Sequence, residues 1–256
     1  MQLNALILSG YGINCEHESK YCIEKVGGKA DIVHINSIIE SPAILENYNM
    51  LLLPGGFSYA DDLGSGKVLA SKLKSRLRDP IEQFIKSEKL VLGIGNGFQT
   101  LVKLGLLPEP DFQQRVSFTK NDSGKFEDRW VMLKTNSNSP CIFTKGIDYL
   151  FVPVRHGEGK FVGSRDELTN IMQDGTLVFQ YIGEKGELEP AYPYNPSGSA
   201  MGIAGICDKT GRIFGMMPHP EAFNMVQNCP YWTTGIVKDA QGLKIFANAV
   251  EYWKGK

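Results

Sequence analysis

The stretch GIGNG, residues 93–97, has the spacing G-x-Nu-x-G of a nucleophile elbow. The apolar run Leu90–Ile94 is typical of a strand buried on both faces, and Phe98–Val102 has the apolar spacing of a helix. Such a turn lifts its central residue above the carboxyl end of a sheet and aims helix N–H groups at the reacting atoms. The central residue here is Gly95, which has no side chain. The spacing alone also fits a dinucleotide-phosphate loop or a plain tight turn.

A second segment whose residues could take part in catalysis is MPHPE, residues 217–221. His219 lies between two prolines, which leave its backbone little freedom. Glu221 can hydrogen-bond one imidazole nitrogen and so orient the ring as a general base. From the pentapeptide alone, a surface His-Pro turn is an equally good interpretation.

The pair Gly55-Gly56 follows a predicted strand and is the third such segment. Taken alone, it indicates an ordinary strand-to-helix loop. Beside an elbow it gains a function, because an oxyanion hole needs a second N–H donor from a neighbouring strand's loop. The pair of segments therefore favours an oxyanion hole with one donor in this loop.

The elements that would position these residues alternate between strands and helices. The predicted strands of the N-terminal half are Ala5–Ser9, Ala30–Ile35, Met50–Leu53 and Leu90–Ile94. The predicted helices run from an Asn14 N-cap through Val26, from Ser41-Pro42 and from Asp79 through Ile85. This alternation predicts parallel strands with right-handed crossovers, whose loops meet at one carboxyl edge. His34, inside its strand, is predicted to be a packed or edge residue.

The C-terminal half is predicted to add strands at Phe126–Val131 and Phe151–Val154, and a hairpin of 201–207 with 212–217. A closing helix should bury the stripe Ala240, Leu243, Phe246, Ala247 and Val250.

The composition excludes several classes of function. Lys plus Arg number 27 and Asp plus Glu number 28, so charge gives no reason to expect nucleic acid or an anionic membrane as partner. The sequence has no apolar run of about 18 residues and no basic leader before its first strand. Five irregularly spaced cysteines favour reduced thiols, so we expect a cytoplasmic protein. Without a C-x-x-C pair, and with only two candidate ligands in His156-x-Glu158, no metal site is predicted.

Six segments, in order, resemble the glutaminase component of phosphoribosylformylglycinamidine synthase, a class I glutamine amidotransferase. They are GINC at 12–15, PGGFSYADDLGSGK at 54–67, GIGNGFQTL at 93–101, NDSGKFEDRWV at 121–131, PVRHGEG at 153–159 and MPHPE at 217–221. The chain departs from the family pattern at Asp128, at Ala222, where arginine is usual, and above all at Gly95, where the family has its nucleophilic cysteine.

The resemblance implies a flavodoxin-like α/β fold, with a mostly parallel central sheet and helices on both faces, in one domain over residues 1–256. It implies hydrolysis of glutamine, with ammonia passed to a synthetase subunit, alongside a small bridging subunit. ATP and Mg would be used by that synthetase, and this subunit would need no cofactor. His219 would shuttle the proton and Glu221 would hold the imidazole of His219. The N–H groups of Gly56 and Asn96 would bind the oxyanion. The residues implied to bind glutamine are Gly55, Phe57, Gln99, Asn121, Ser123 and Phe126.

Gly95 leaves two interpretations. The chain is either a glutaminase that is intact except for its nucleophile, or a non-catalytic scaffold or regulatory subunit of the same complex. Retention of His219, Glu221, the Gly55-Gly56 pair and Gln99 favours the first, because an abandoned site has no reason to keep them. Cys15 is the only thiol predicted to lie at the same edge of the sheet as Gly95.

Overall fold

The computed structural model describes residues 1–256, and its largest element is a nine-stranded sheet. The strands are β1 (Asn4–Ser9), β2 (Lys29–His34), β3 (Met50–Leu53), β4 (Leu90–Ile94), β5 (Ser117–Thr119), β6 (Glu127–Thr135), β7 (Tyr149–His156), β8 (Lys160–Val162), β9 (Leu177–Ile182), β10 (Ile203–Cys207) and β11 (Ile213–Met216). The helices are α1 (Glu16–Lys25), α2 (Ile35–Glu40), α3 (Lys67–Lys86), α4 (Asn96–Leu104), α5 (Arg165–Gln173) and α6 (Leu243–Lys254). None of these helices has the length and apolar character that crossing a bilayer would require.

The order of strands in the large sheet is β2-β1-β3-β4-β11-β10-β9-β6-β7, and β5 pairs with β8 in a separate sheet. Strands β10 and β6 run antiparallel to both of their neighbours, while the others share one direction. In the register, Leu53 pairs with Gly93 and Met216 pairs with Ile94. The loops after β3, β4 and β11 therefore emerge side by side at one edge.

Helices cover both faces of the sheet. The first face packs apolar residues of α1 and α6, such as Ile23 and Phe246, against the strands. The second packs residues of α3, α4 and α5, such as Leu73, Leu101 and Ile171. The predicted α/β fold with a mostly parallel central sheet is thus confirmed.

The four predicted N-terminal strands are present, but the helix boundaries differ from the predictions. The residue that caps α1 is Cys15, not Asn14, and its side chain makes no capping hydrogen bond. The predicted helix from Asp79 through Ile85 is the second part of α3, which begins at Lys67, is kinked at Leu77 and contains Pro80. Proline removes one hydrogen bond and crowds the preceding turn, which bends the helix without ending it.

Several C-terminal predictions also need correction. The first hairpin strand begins at Ile203, because residues 200–202 form a short 3₁₀ turn. In α6 only Phe246 and Val250 of the predicted stripe are fully buried, and Ala240, Leu243 and Ala247 are half-buried. The other fully buried residues are Ile245, Ala249 and Trp253. His34 ends β2, the edge strand, and its Nδ1 accepts a hydrogen bond from the N–H of Asn36.

The elbow requires α4 to lie unusually close to the sheet. A Cβ atom on Gly97 would stand 1.8 Å from the carbonyl oxygen of Leu53 in β3. A Cβ on Gly93 would stand 2.6 Å from Cδ1 of Leu101 and 2.8 Å from the carbonyl of Gly97. Packing between helix and strand therefore requires glycine at both flanking positions, whatever chemistry the turn performs.

We predict that Gly97→Ala lowers the free energy of unfolding by about 3 kcal/mol or more, since a methyl group cannot fit against a backbone oxygen without moving α4. The measurement is urea denaturation followed by circular dichroism. Gly157→Ala is the matched control, because its added Cβ would meet only Phe126, at 3.9 Å. Equal stability of the two variants would contradict this account of the elbow.

Candidate active site

Gly95 sits at the turn between β4 and α4 with φ of +52° and ψ of −112°. This backbone conformation is open to glycine and strained for other residues. Its N–H donates to the carbonyl of Met216 at 2.9 Å, which ties the turn to the end of β11. The elbow geometry predicted from the sequence is therefore present, with no side chain at its centre.

His219 and Glu221 form a buried pair above this turn. Nδ1 of His219 lies 2.6 Å from Oε1 of Glu221, and both side chains are buried. The acceptor carboxylate places the proton on Nδ1 and leaves Nε2 free. The backbone N–H of His219 donates to the carbonyl of Pro153 at 2.8 Å, which anchors the backbone of His219 to β7.

The imidazole of His219 fills the space that a side chain at position 95 would enter. A Cβ on Gly95 would stand 2.8 Å from Nε2 and 2.9 Å from Cε1 of the ring. A Cβ on Gly55 would stand 2.5 Å from Cε1. The ring thus lies against two glycine backbones, and any residue other than glycine at either position would displace it.

The loop after β3 brings Gly56 next to the elbow. Gly56 has φ of +143°, and a Cβ there would stand 2.6 Å from the carbonyl oxygen of Gly12. The loop is held by the N–H of Phe57, which donates to that same oxygen at 2.7 Å. The N–H groups of Gly56 and Asn96 donate no hydrogen bond within the protein. Both are therefore available to an acceptor.

The side chain of Asn96 links the elbow to this loop. Its Oδ1 accepts from the N–H of Ser58 at 3.2 Å, and its Nδ2 donates to Asp61 at 3.0 Å and to Gln99 at 3.1 Å. Gln99 in turn donates to the carbonyl of Glu158 at 2.7 Å. Both ends of the Gln99 amide are thus used inside the protein.

Asp61 contacts the elbow, although the sequence did not single it out. Tyr59, Ala60 and Asp61 all have positive φ, a conformation that costs a non-glycine residue on the order of 1–2 kcal/mol. Asp61 accepts from Ser65 at 2.9 Å as well as from Asn96, and burial raises its pKa. The sequence offered one signal for Asp61, an acidic residue soon after a glycine-rich loop. Its contact with Asn96 on α4 is visible only in three dimensions.

The predicted residues Asn121, Ser123 and Phe126 lie on a loop that packs beside residues 156–159. The Nδ2 of Asn121 donates to the carbonyls of Lys125 and His156, both at 2.8 Å, and Ser123 donates to Glu127 at 2.6 Å. Their polar atoms thus hold the loop together.

Phe126 is exposed, and its ring centroid lies 6.1 Å from that of Phe57, which is also exposed. The structure brings these two predicted residues together on the surface, since they come from loops in opposite halves of the chain.

Cys15 lies on the far side of His219 from Gly95. A Cβ on Gly55 would stand 3.2 Å from both Sγ of Cys15 and Nδ1 of His219. The thiol donates to Asn14 at 3.2 Å, and burial together with the charge of Glu221 raises its pKa well above the ordinary value. Cys15 therefore lacks the activated thiolate that a nucleophile requires.

A family model described as a CobB/CobQ-like glutamine amidotransferase domain matches residues 2–253. The chain belongs to this glutamine amidotransferase family. It is 44% identical over 253 residues to the phosphoribosylformylglycinamidine synthase subunit PurQ of Dehalococcoides mccartyi, covering 98% of each chain. It is 44% identical over 265 residues to the subunit of that name from Methanococcus maripaludis, covering 97% of this chain and 96% of the relative.

Solved structures of glutamine amidotransferases have the same fold. A chain in the structure of PurLQS from Thermotoga maritima superposes with a TM-score of 0.75 at 28% identity, covering 99% of this chain and all of that one. Another glutamine amidotransferase from Thermotoga maritima gives a TM-score of 0.57 at 19% identity, which shows the fold alone. Membership of the glutamine amidotransferase family, expected from the motifs, is confirmed.

One further histidine borders this amidotransferase site. His156, at the end of β7, is buried with its Nδ1 3.0 Å from Oδ1 of Asn121 and its Nε2 unpaired. Burial, reinforced by the electrostatic effect of nearby His219, lowers the pKa of His156 to about 3. The ring is therefore neutral in the folded protein at all ordinary pH values.

This histidine predicts a pH dependence of stability. The unfolded chain protonates His156 near its ordinary pKa of 6.5, so between pH 6.5 and about 3 the unfolded state holds the extra proton. His156 then reduces stability by up to about 1.4 kcal/mol for each pH unit of acidification in that window. We expect urea unfolding of His156→Gln between pH 6.5 and 4.5 to lose this slope, whereas the exposed His17→Gln should keep it. An unchanged slope in His156→Gln would contradict the assignment.

Proposed function

We propose that this chain is the glutaminase-type subunit of a phosphoribosylformylglycinamidine synthase, acting in purine biosynthesis, and that it lacks the nucleophile for glutamine hydrolysis. The observation that carries the proposal is the His219–Glu221 pair, joined at 2.6 Å, whose free Nε2 faces the elbow at Gly95. A base and its orienting carboxylate above an elbow form the machinery of acyl transfer. Identity to the PurQ relatives over nearly the whole chain supports the same assignment.

In a member with cysteine at the elbow, the chemistry follows from this geometry. The thiol would give its proton to Nε2 of the histidine and attack the side-chain carbonyl of glutamine. The tetrahedral intermediate would collapse to a thioester as its amine leaves with that proton as ammonia. Water would then cleave the thioester to glutamate and restore the thiol. Glu221 would stabilise the imidazolium throughout, through its hydrogen bond to Nδ1.

The remaining residues would bind glutamine and its oxyanion. We propose that the free N–H groups of Gly56 and Asn96 are the oxyanion donors. Gly55 would let the substrate approach the main chain, and Phe57 with Phe126 would line the entrance. Because the polar atoms of Gln99 and Asn121 are hydrogen-bonded within the protein, these residues would shape the pocket through their loops, as would Ser123.

The ammonia-using partner would be a synthetase subunit, with a small bridging subunit completing the complex. The exposed pair of Phe57 and Phe126 lies beside the site and offers an apolar contact to such a partner. We propose that ATP and Mg bind to the synthetase and that this subunit uses no cofactor in the family reaction.

A second function is favoured by one specific observation. The imidazole of His219 occupies the position that a side chain at residue 95 would need, at 2.8 Å from its Cβ. A subunit that only binds and organises the synthetase would tolerate this closure of the site. The two functions differ in whether the machinery works once a thiol is supplied.

We expect Gly95→Cys, assembled with the synthetase subunit, to hydrolyse glutamine about 10³-fold or more faster than the Gly95 chain, since loss of a covalent nucleophile costs at least that much. The positive φ should cost the variant on the order of 1–3 kcal/mol of stability, and His219 must shift to admit Cβ. Glutamate release and labelling by a chloroketone analogue of glutamine are the measurements.

Gly95→Ala is the matched control, because it adds the same Cβ and the same backbone strain without a thiol. It should be destabilised equally and remain inactive. If Gly95→Cys folds, binds the synthetase and shows neither hydrolysis nor labelling, the scaffold function is correct. If the Gly95 chain itself releases glutamate in a manner that Cys15→Ala abolishes, the loss-of-nucleophile proposal is wrong.

We also expect the assembled complex to make product from ammonium salts at the same rate with Gly95 or Gly95→Cys, because this subunit only delivers ammonia. With glutamine as nitrogen source, the Gly95 complex should form little product. The measurement is product formation with each nitrogen source at matched enzyme concentration. Equal use of glutamine and ammonium by the Gly95 complex would show that the glutaminase is active after all.

A further inference from the structure

We propose that Cys15, His219 and Glu221 form a binding site for a borderline divalent cation, with Zn²⁺ as the best fit. One ligand atom from each residue lies within 4.8 Å of the other two. Thiolate, imidazole and carboxylate are together a donor set that suits zinc and does not suit magnesium or calcium. The site uses residues of the proposed active site but does not depend on glutamine hydrolysis.

Two of the three ligand atoms lie beside Gly55, which has no side chain to separate them. Sγ of Cys15 and Nδ1 of His219 each lie 3.2 Å from the point where a Cβ on Gly55 would stand. Tetrahedral zinc with bonds of about 2.0–2.3 Å needs its ligand atoms roughly 3.2–3.8 Å apart. To close on an ion, Nδ1 of His219 and Oε1 of Glu221, which are 2.6 Å apart, have to separate by roughly 1 Å. Ligand atoms up to 4.8 Å apart have to approach one another by about 1 Å.

The carboxylate of Glu221 supplies an independent sign of an unfilled site. Its Oε1 is hydrogen-bonded to His219, but its Oε2 is buried and has no hydrogen-bond partner. A buried oxygen of a charged group without a partner is costly, and native structures seldom leave one without a hydrogen-bond donor or a cation beside it. A cation held between Glu221 and Cys15 would satisfy that oxygen.

Cys15 has a side chain that is free to reorient, and it lies where solvent can reach the site. It is half-buried at the N-terminus of α1, and its thiol is bound only to the exposed side chain of Asn14. Sγ can therefore leave that contact and turn toward Glu221. A water molecule entering from the exposed side would complete the fourth coordination position.

Binding of the metal ion releases one proton from the site and moves another within it. The thiol proton of Cys15 passes to solvent, and the proton on Nδ1 of His219 moves to Nε2, so that Nδ1 becomes a ligand. The ion then neutralises one thiolate and one carboxylate. The His219–Glu221 hydrogen bond is replaced by two bonds to the metal, and Nε2 no longer accepts a proton.

The test is Zn²⁺ titration of the purified chain in competition with a chromophoric chelator. We expect one ion per chain, with affinity reduced more than about tenfold in Cys15→Ser and in Glu221→Gln, since even changes to outer-shell partners cost that much. The control is His17→Ala, an exposed histidine near Cys15 that should bind zinc like the parent chain. Co²⁺ should give a thiolate charge-transfer band that Cys15→Ser abolishes.

Circular dichroism and the unfolding midpoint without metal will show that the variants are folded. Zn²⁺ should then raise the midpoint of the parent chain and not that of Cys15→Ser, because an ion that binds only the folded state stabilises it. Absence of binding to the parent chain, or equal binding to a folded Cys15→Ser variant, would overturn the proposal. Neither result bears on glutamine hydrolysis, which Gly95→Cys tests separately.

Discussion

The close approach of α4 to the sheet is the constraint on which the rest of the site depends. With the Gly97 Cα so near the carbonyl of Leu53, the helix begins immediately beyond β4 and the turn at Gly95 takes a positive φ. This geometry leaves the N–H of Asn96 unpaired and places it beside the loop that carries Gly56. The same turn is bound to Met216, which sets its position relative to the strand that leads to His219.

The missing side chain at the elbow is accommodated by local packing. His219 is anchored through its backbone to Pro153 and through its ring to Glu221, and the ring rests on the Cα atoms of Gly55 and Gly95. A buried polar pair of this kind is costly when one partner is lost and inexpensive to keep when both are present. The pair can therefore persist in a folded chain whether or not a nucleophile stands beneath it.

The polar groups around this pair fall into two kinds. Asn96, Gln99 and Asn121 have their hydrogen bonds satisfied by protein, so they hold loops in place. Oε2 of Glu221 and the two free N–H groups are unsatisfied, so they are where ligands would be expected to bind. The first kind also explains how three non-glycine residues near the elbow, Tyr59 to Asp61, are held with left-handed backbones.

The sequence by itself determined the strand–turn–helix motif at Gly95, the four N-terminal strands, the pairing of His219 with Glu221 and the family, because each is encoded in short runs of residues. It did not predict Cys15 as the cap of α1, the start of α3 at Lys67 or the link from Asp61 to Asn96. The meeting of Cys15 with Glu221 was likewise decided only by the tertiary structure. Its cause is the strand order of the sheet, which sets β1, β3, β4 and β11 side by side and so joins loops from opposite ends of the chain.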